Sequence, residues 1–152
     1  MQTHQSKLEQ LIDLFGKETA DKIFYAKILV VGAGGIGCEL VKCLSLAGVR
    51  NISIIDLDTI DISNLNRQFL FRREHVDQPK STTLKLQIEK QNPDIKIDAY
   101  LVKIQEERFG YSFFKGFDLV INALDNIEAR KHVNRMCFNL GLPLIDAGTN
   151  GY

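Results

Sequence analysis

The chain has 152 residues, of which 45% are hydrophobic and 25% are charged, and its formal net charge at pH 7 is zero. This composition is ordinary for a globular domain, and the length suffices for one domain with a hydrophobic core. The balanced charge argues against nucleic acid and acidic membranes as partners. No apolar run approaches the ~20 residues of a membrane span, and the polar first ten residues do not resemble a signal peptide.

The predicted elements alternate between helix and strand. Hydrophobic periodicity predicts one or two helices over residues 6–25, interrupted near Gly16. The strands that follow are predicted at residues 27–31, 51–56, 95–101, 117–123 and 143–147. The helices between them are predicted at residues 35–47, 79–91, 106–115 and 126–140. Such alternation implies right-handed crossovers, so the expected fold is α/β: a doubly wound, mostly parallel, Rossmann-like sheet with helices on both faces.

A glycine motif follows the first strand. Gly32, Gly34 and Gly37 have the G-x-G-x-x-G spacing, which permits a tight turn, a close approach of backbone to phosphate, and close packing of helix on sheet. Asp56 lies 19 residues after Gly37, near the ~20 expected for a carboxylate that binds a ribose. The pattern predicts a nucleotide site, and the alternative is a turn with a structural role only. The candidate loop consists of Gly32, Ala33, Gly34, Gly35, Ile36 and Gly37.

Several cations follow Asp56 within the next 30 residues. A dehydrogenase needs few cations beyond its pyrophosphate contacts, whereas a triphosphate needs several. Arg67 could bind the terminal phosphates as a bidentate fork, and Lys80 could bind them as a point charge. The pair Arg72 and Arg73 is interpreted as solvated or as part of an interface.

Two further polar residues have open alternatives. Asp125 could bind Mg²⁺ through its carboxylate, or it could be the N-cap of the following helix. Asn64 could contact a ribose or a phosphate, or it could shape its loop through local hydrogen bonds. The residues alone do not decide between these interpretations.

The three cysteines indicate no metal or disulfide framework. Cys38, Cys43 and Cys137 are odd in number and form no C-x-x-C pair. An intracellular, reducing location is therefore expected, in the nucleus, the cytoplasm or both. Cys38 and Cys43 are interpreted as packing residues and Cys137 as a core residue, so no cysteine is expected to act as a nucleophile.

Four stretches together resemble the adenylation domain of E1 enzymes for ubiquitin-like proteins. They are GAGGIGCEL at residues 32–40, IDLDTIDISNLNRQFLF at residues 55–71, QPK at residues 78–80 and ALDNIEARKHVNRMC at residues 123–137. Bacterial members of this family activate the sulfur carriers of molybdopterin and thiamine synthesis. The sequence of residues 122–138 and LPLIDAGTNGY at residues 142–152 most resemble the enzymes that activate SUMO.

The resemblance implies a reaction and a set of residues. ATP and the C-terminal carboxylate of the modifier would form an acyl adenylate, followed by a thioester with the E1 cysteine and transfer to an E2. The glycine loop and Asp56 would bind the nucleotide, Arg67 and Lys80 would act on its phosphates, and Asp125 would coordinate Mg²⁺. The remaining nucleotide contacts implied by the family are Asn64, Leu65, Asn66, Asn126 and Arg130.

The resemblance also implies an organisation. Residues 1–25 are expected to form an N-terminal helical segment, and residues 26–152 an ATP-binding adenylation domain. The catalytic cysteine and the zinc-binding cysteines are expected further toward the C-terminus, so this segment alone is expected to be inactive. The implied partners are SUMO or a related modifier, an E1 partner subunit in a heterodimer, and an E2. The polar loop 64–73, with Phe69 and Phe71 as exposed aromatics, is expected to contact the partner subunit.

Three alternatives to the activation of SUMO are open. The chain could belong to an enzyme that activates another modifier such as NEDD8. It could be a nicotinamide-dependent oxidoreductase, which uses the same βαβ unit, although no catalytic His and Tyr pair is evident. It could also be an interaction module that keeps the fold without turnover.

Overall fold

The computed structural model of the protein describes residues 4–148. Its centre is a parallel sheet of five strands in the order β3-β2-β1-β4-β5. The expected doubly wound α/β fold is therefore confirmed. The strands are β1 (Lys27–Val31), β2 (Asn51–Ile55), β3 (Lys96–Tyr100), β4 (Leu119–Asn122) and β5 (Leu144–Asp146).

Six α-helices are present in the described part of the chain, and five of them match the prediction closely. The break near Gly16 is confirmed, since this glycine has a φ of +77° between two short helices. The predicted helix at residues 106–115 is instead a 3-10 turn at Glu107–Phe109 and a single helical turn, separated by Gly110. The helices are α1 (His4–Phe15), α2 (Lys17–Tyr25), α3 (Gly35–Leu46), α4 (Lys80–Gln91), α5 (Tyr111–Phe114) and α6 (Ile127–Leu140).

The sheet separates two hydrophobic cores, because successive side chains of a strand point to opposite faces. On one face, Ile28 and Val30 of β1 pack in a core with Leu84 and Ile88 of α4, as predicted. On the other face, Leu29 and Val31 belong to a core built with α5 and α6. Since β1 lies between β2 and β4, the strand order reverses beside β1, and ligands of doubly wound sheets bind at such a point, beyond the carboxyl ends of the strands.

The cysteines are only partly as predicted. Burial raises the pKa of the Cys38 thiol to about 12 and that of Cys137 to about 11, so neither is a thiolate at neutral pH. Cys43 is exposed, and its interpretation as a packing residue is wrong. It lies on the outer side of α3, because Val41 and Cys38 provide the buried side of that helix.

The division of the chain between residues 25 and 26 stays a prediction. The last part of the SUMO-like stretch, residues 149–152, lies outside the described residues. Over the described residues, no helix combines the length and the apolarity needed to cross a membrane.

Candidate functional site

The glycine turn connects β1 to α3 and is shaped by packing at two of its three motif glycines. Gly32 has a φ of +105°, and a β-carbon there would lie 2.5 Å from the carbonyl oxygen of Ala123. A β-carbon on Gly37 would overlap the carbonyl oxygen of Gly32. Gly34 differs, because a β-carbon there would meet no atom within 4 Å. The backbone at Gly34 is therefore open to a ligand, as expected for the glycine that faces a phosphate.

Asp56 connects the end of β2 to this turn. Its Oδ2 accepts a hydrogen bond from the amide of Ala33 at 2.5 Å, and its Oδ1 accepts one from the amide of Asp58 at 2.7 Å. Burial raises the pKa of the Asp56 carboxyl above its usual range, while the two amides oppose that shift. The amide of Asp56 donates to the carbonyl of Tyr100 at 3.1 Å. The carboxyl group is thus fixed at the carboxyl edge of the sheet, next to the glycine turn.

Lys80 is held at the same edge by a residue that the sequence did not identify. Its side chain is only 10% exposed, and its Nζ lies 2.9 Å from Oδ2 of Asp58. Its backbone amide also donates to the carbonyl of Asp58 at 2.9 Å. Two bonds to one residue place the ammonium group at the start of α4. Asp58 was missed because an exposed carboxylate two residues after Asp56 has no distinctive local pattern.

The loop between β2 and α4 is ordered by its own side chains. The amide of Asp61 donates to Oδ1 of Asn64 at 2.9 Å, and the amide of Ser63 donates to Oδ1 of Asp61 at 2.7 Å. Hydrogen bonding from Ser63 lowers the pKa of Asp61. Asn64 is buried, and this reciprocal cap favours its loop-shaping interpretation. Leu65, which follows, packs against the core.

Arg67 lies beside the glycine turn but is loosely held. Its Nη1 donates to the carbonyl of Ser63 and to Oδ1 of Asn66, both at 3.1 Å. A β-carbon on Gly35 would lie 3.8 Å from its Cγ, which places its side chain next to the start of α3. Arg67 is exposed, so its guanidinium can reorient toward a ligand.

The residues after β4 form the opposite side of the site. The N-cap of α6 is Asn126, whose Oδ1 accepts from the amide of Ala129 at 3.0 Å, so the interpretation of Asp125 as the cap is wrong. The backbone turns into the helix one residue later than that interpretation requires. Asp125 is exposed, and none of the hydrogen bonds or ion pairs among residues 4–148 engages it. Arg130 pairs with Asp146 at 3.0 Å.

Asp125 is the residue that the sequence singled out as a metal ligand. Within the described part of the chain, no group of three or more histidines, cysteines and carboxylates could hold a metal. Mg²⁺ in nucleotide sites is commonly bound by one or two carboxylates together with the phosphates. The uncommitted carboxylate of Asp125 fits that role, and a metal cage made of protein ligands alone does not fit.

The loop expected to contact a partner is partly buried. Phe71 is 2% exposed and belongs to the core, so its interpretation as an exposed aromatic is wrong. Phe69 is 47% exposed, and Nζ of Lys42 lies 4.5 Å from its ring centroid. The Arg72 side chain donates to the carbonyls of Phe69 and Phe71. Loop burial of this kind has no periodic signal, because the buried residues Gln68, Leu70 and Phe71 follow neither the spacing of a helix nor that of a strand.

Two further groups at the site were not found from the sequence. His75 accepts a hydrogen bond from the amide of Arg72 at 3.0 Å and closes the second 3-10 turn of the loop. The end of β3 reaches the same edge of the sheet, since the carbonyl of its last residue, Tyr100, accepts a hydrogen bond from the amide of Asp56.

Known proteins are similar in sequence to this chain over most of its length. The model of the ThiF family matches residues 7–152. SUMO-activating enzyme subunit 2 of Dictyostelium discoideum is 55% identical over 146 residues, which cover 96% of this chain and 22% of that protein. SUMO-activating enzyme subunit uba-2 of Caenorhabditis elegans is 52% identical over 136 residues, 90% of this chain and 23% of that protein. The NEDD8-activating enzyme E1 catalytic subunit of Schizosaccharomyces pombe is 42% identical, with 89% of this chain and 31% of that protein covered.

Solved structures share the fold. The crystal structure of E. coli tRNA N6-threonylcarbamoyladenosine dehydratase, TcdA, in complex with AMP is 24% identical and superposes with a TM-score of 0.86. The superposition covers 97% of this chain and 60% of the TcdA chain. The crystal structure of E. coli MccB with AMPCPP and MccA is 30% identical with a TM-score of 0.74, over 84% of this chain and 38% of that one.

The match to the family model and the geometry of the site both bear on the family to which the chain belongs. The glycine turn, Asp56 and Lys80 lie at the carboxyl edge of a doubly wound sheet, which is where such sheets bind their ligands. The chain spans less than a quarter of the length of the two SUMO-activating relatives. Because the family model covers nearly the whole chain, the chain belongs to the ThiF family.

Proposed function

We propose that this chain is the ATP-binding adenylation segment of an E1 enzyme that activates SUMO. The observation that carries the proposal is the convergence of an open backbone at Gly34, a fixed carboxyl at Asp56 and a fixed ammonium at Lys80 on one sheet edge. The choice of SUMO over NEDD8 rests on identities of 52% and 55% to the SUMO-activating relatives, against 42% to the NEDD8-activating one. The AMPCPP in MccB, a relative at 30% identity, supports ATP as the nucleotide.

In the proposed reaction, the C-terminal carboxylate of the modifier attacks the α-phosphorus of ATP. A carboxylate oxygen bonds to that phosphorus, the bond from the α-phosphorus to the β-phosphate oxygen breaks, and pyrophosphate leaves. Since the attacking carboxylate is already ionised, the step needs no general base. Its main demand is stabilisation of the negative charge on the phosphates, which preorganised cations supply.

The residues of this chain would divide that work. Asp56 would accept hydrogen bonds from the ribose hydroxyls, and the amides of the glycine turn, at the start of α3, would face a phosphate. Lys80 and Arg67 would bind phosphate oxygens, Lys80 from a fixed position and Arg67 after reorienting. Mg²⁺, held by Asp125 and the phosphates, would neutralise further charge. Asn126 and Arg130 would line the same side.

The later steps and partners belong to the same proposal. Thioester formation, transfer to an E2, and assembly with an E1 partner subunit would use other parts of the full-length protein. On this chain, the half-exposed Phe69 with Lys42 over its ring is the part of the loop that fits a partner contact. An intracellular location, in the nucleus, the cytoplasm or both, accords with this activity.

Pyrophosphate exchange tests the proposal. Full-length protein with its partner subunit is incubated with ATP, Mg²⁺, labelled pyrophosphate and either SUMO or NEDD8, and label in ATP is counted. We expect exchange that requires SUMO. Exchange with NEDD8 alone would refute the choice of modifier. No exchange with either modifier, together with stabilisation by NAD(H) and not by ATP, would refute adenylation itself.

A further inference from the structure

The sheet face that packs toward α5 changes character along the strands. Cross-strand register defines three rows of neighbouring residues on this face of β1, β2 and β3. The row at the amino end is fully polar, the middle row is mixed, and the row at the carboxyl end is apolar apart from the tyrosine hydroxyl. The rows are Lys27, Asn51 and Lys96; then Leu29, Ser53 and Asp98; then Val31, Ile55 and Tyr100.

This polar corner is unexpected in a parallel sheet. Strands covered on both faces are normally apolar on both, and the opposite face of the same strands, with Ile28, Ile52 and Ile97, follows that rule. The helical turn of α5 is only four residues long, too short to cover all three rows. The uncovered corner is a cavity of about 390 Å³, enclosed on its other side by Ser112, Phe113, Gly116 and Phe117. Small-molecule sites have volumes of about 300–1,000 Å³.

The inner wall of the cavity is aromatic. The ring centroids of Tyr100 and Phe113 are 5.9 Å apart, and those of Phe113 and Phe117 are 5.1 Å apart, both in edge-to-face arrangement. Such contacts fix the rings in place. Ser53 is buried and lies beside the phenol of Tyr100, and burial raises the pKa of that phenol. The inner wall therefore offers ring faces and edges together with one hydroxyl pair.

The outer rim is cationic. Lys27 and Lys96 lie two strands apart, about 10 Å by strand spacing, and neither forms an ion pair with any of the residues whose side chains the structure describes. Asp98 is the one carboxylate among the residues that line the cavity; the carboxylate of Asp118 lies next to the rim and accepts a hydrogen bond from the backbone amide of Lys27 at 2.8 Å. Two ammonium groups and one carboxylate leave the lining with one net positive charge, which suits a singly charged anion.

We propose that this cavity is a second ligand site, at the amino end of the strands, for a small aromatic anion such as an aryl carboxylate. The aromatic part packs against Tyr100, Phe113 and Phe117, and the anionic group faces Lys27 and Lys96. The site is independent of the proposed nucleotide site, which lies at the carboxyl end of the same strands.

Binding of 2-naphthoate to the full-length protein with its partner subunit tests the site, with 2-naphthalenemethanol as the uncharged analogue. Titration calorimetry gives both affinities. The double variant Lys27→Gln/Lys96→Gln should bind 2-naphthoate at least about fivefold more weakly, and the alcohol unchanged. Lys90→Gln, an exposed lysine on the other side of the sheet, is the matched control and should change neither affinity. Ser112→Trp, which places a large side chain in the cavity, should abolish binding of both probes.

The outcomes against the site are equally specific. Failure of the parent protein to bind 2-naphthoate would overturn the proposal. Displacement of 2-naphthoate by ATP would also overturn it, because the ligand would then occupy the nucleotide site. Unchanged affinity for 2-naphthoate in the lysine double variant would overturn the proposal as well. This test does not depend on whether Ser112→Trp folds. ATP binding should be equal in all correctly folded variants, because none of these residues belongs to the proposed nucleotide site.

Discussion

Residues 56–80, after β2, and residues 123–130, after β4, flank the same glycine turn but are held to different degrees. On the β2 side, Asp56 accepts two amide hydrogen bonds, and Lys80 makes two bonds to Asp58. On the β4 side, Asp125 is exposed and engaged by no described hydrogen bond or ion pair. Asp56 and Lys80 on the β2 side thus have their geometry before any ligand arrives, whereas the β4 side provides a carboxylate that a ligand or metal must position. Preorganised groups lose less entropy on binding, so variants on the two sides should differ.

The largest effect on stability is expected in the glycine turn, which the β2 side and the β4 side both flank. Gly37→Ala should destabilise the protein by about 3 kcal/mol, because the new methyl group would overlap the backbone of Gly32. Thermal unfolding measures this. Gly34→Ala is the matched control: its methyl group has space, so the melting temperature should stay unchanged while ATP binding weakens. Equal melting temperatures for the two variants would contradict the packing described for Gly37.

Asp56→Ala is expected to have the next largest effect. The variant should weaken ATP binding by about 1.5–3 kcal/mol, since it removes hydrogen bonds between a charged acceptor and the ribose. Calorimetry with ATP and with 2′-deoxy-ATP separates the ribose contact from other effects. The parent should discriminate between the two nucleotides and the variant should not. If Asp56→Ala bound ATP as tightly as the parent, Asp56 would not contact the ribose, and its role would be only to connect β2 to the glycine turn.

Arg67 and Lys80, the two cations proposed to bind phosphate, provide a comparison within the β2 side. Arg67→Ala and Lys80→Ala should each slow modifier-dependent pyrophosphate exchange at least about tenfold, or ~1.4 kcal/mol. Only Lys80→Ala should also lower the melting temperature, because Lys80 is 10% exposed and paired, whereas Arg67 is exposed. Normal exchange in either variant would remove that residue from the phosphate site.

The smallest effects are expected on the β4 side, where they distinguish the roles of the adjacent residues Asp125 and Asn126. Asn126→Ala should destabilise the protein by about 1 kcal/mol through the lost N-cap. Asp125→Ala should change stability by no more than about 0.5 kcal/mol, as for an unengaged surface residue, and should raise the Mg²⁺ concentration needed for half-maximal exchange. Urea unfolding and a Mg²⁺ titration measure these two quantities. The reverse pattern would restore Asp125 as the cap.

The sequence predicted the fold and the β2 side better than the β4 side. Apolar strands and a glycine motif with Asp56 after the second strand are local patterns, so they were readable without coordinates. Asp125 and Asn126 are adjacent good caps, and the choice between them depends on where the backbone enters α6. Cys43 and Phe71 were misjudged because their burial depends on how α3 and the loop pack in three dimensions. The polar row Lys27–Asn51–Lys96 also needed the register of three strands, which residue spacing does not give.

The ion pair between Lys80 and Asp58 has a consequence for selectivity among anions. Because Asp58 already compensates the ammonium charge, a free anion must displace a carboxylate that is covalently tethered at the same place. Chloride and inorganic phosphate have no other contacts with which to offset that exchange. A nucleotide would have them, through the proposed contacts of its ribose with Asp56 and of its phosphate with the open backbone at Gly34. The pair should therefore protect the site from occupation by small anions such as chloride and inorganic phosphate.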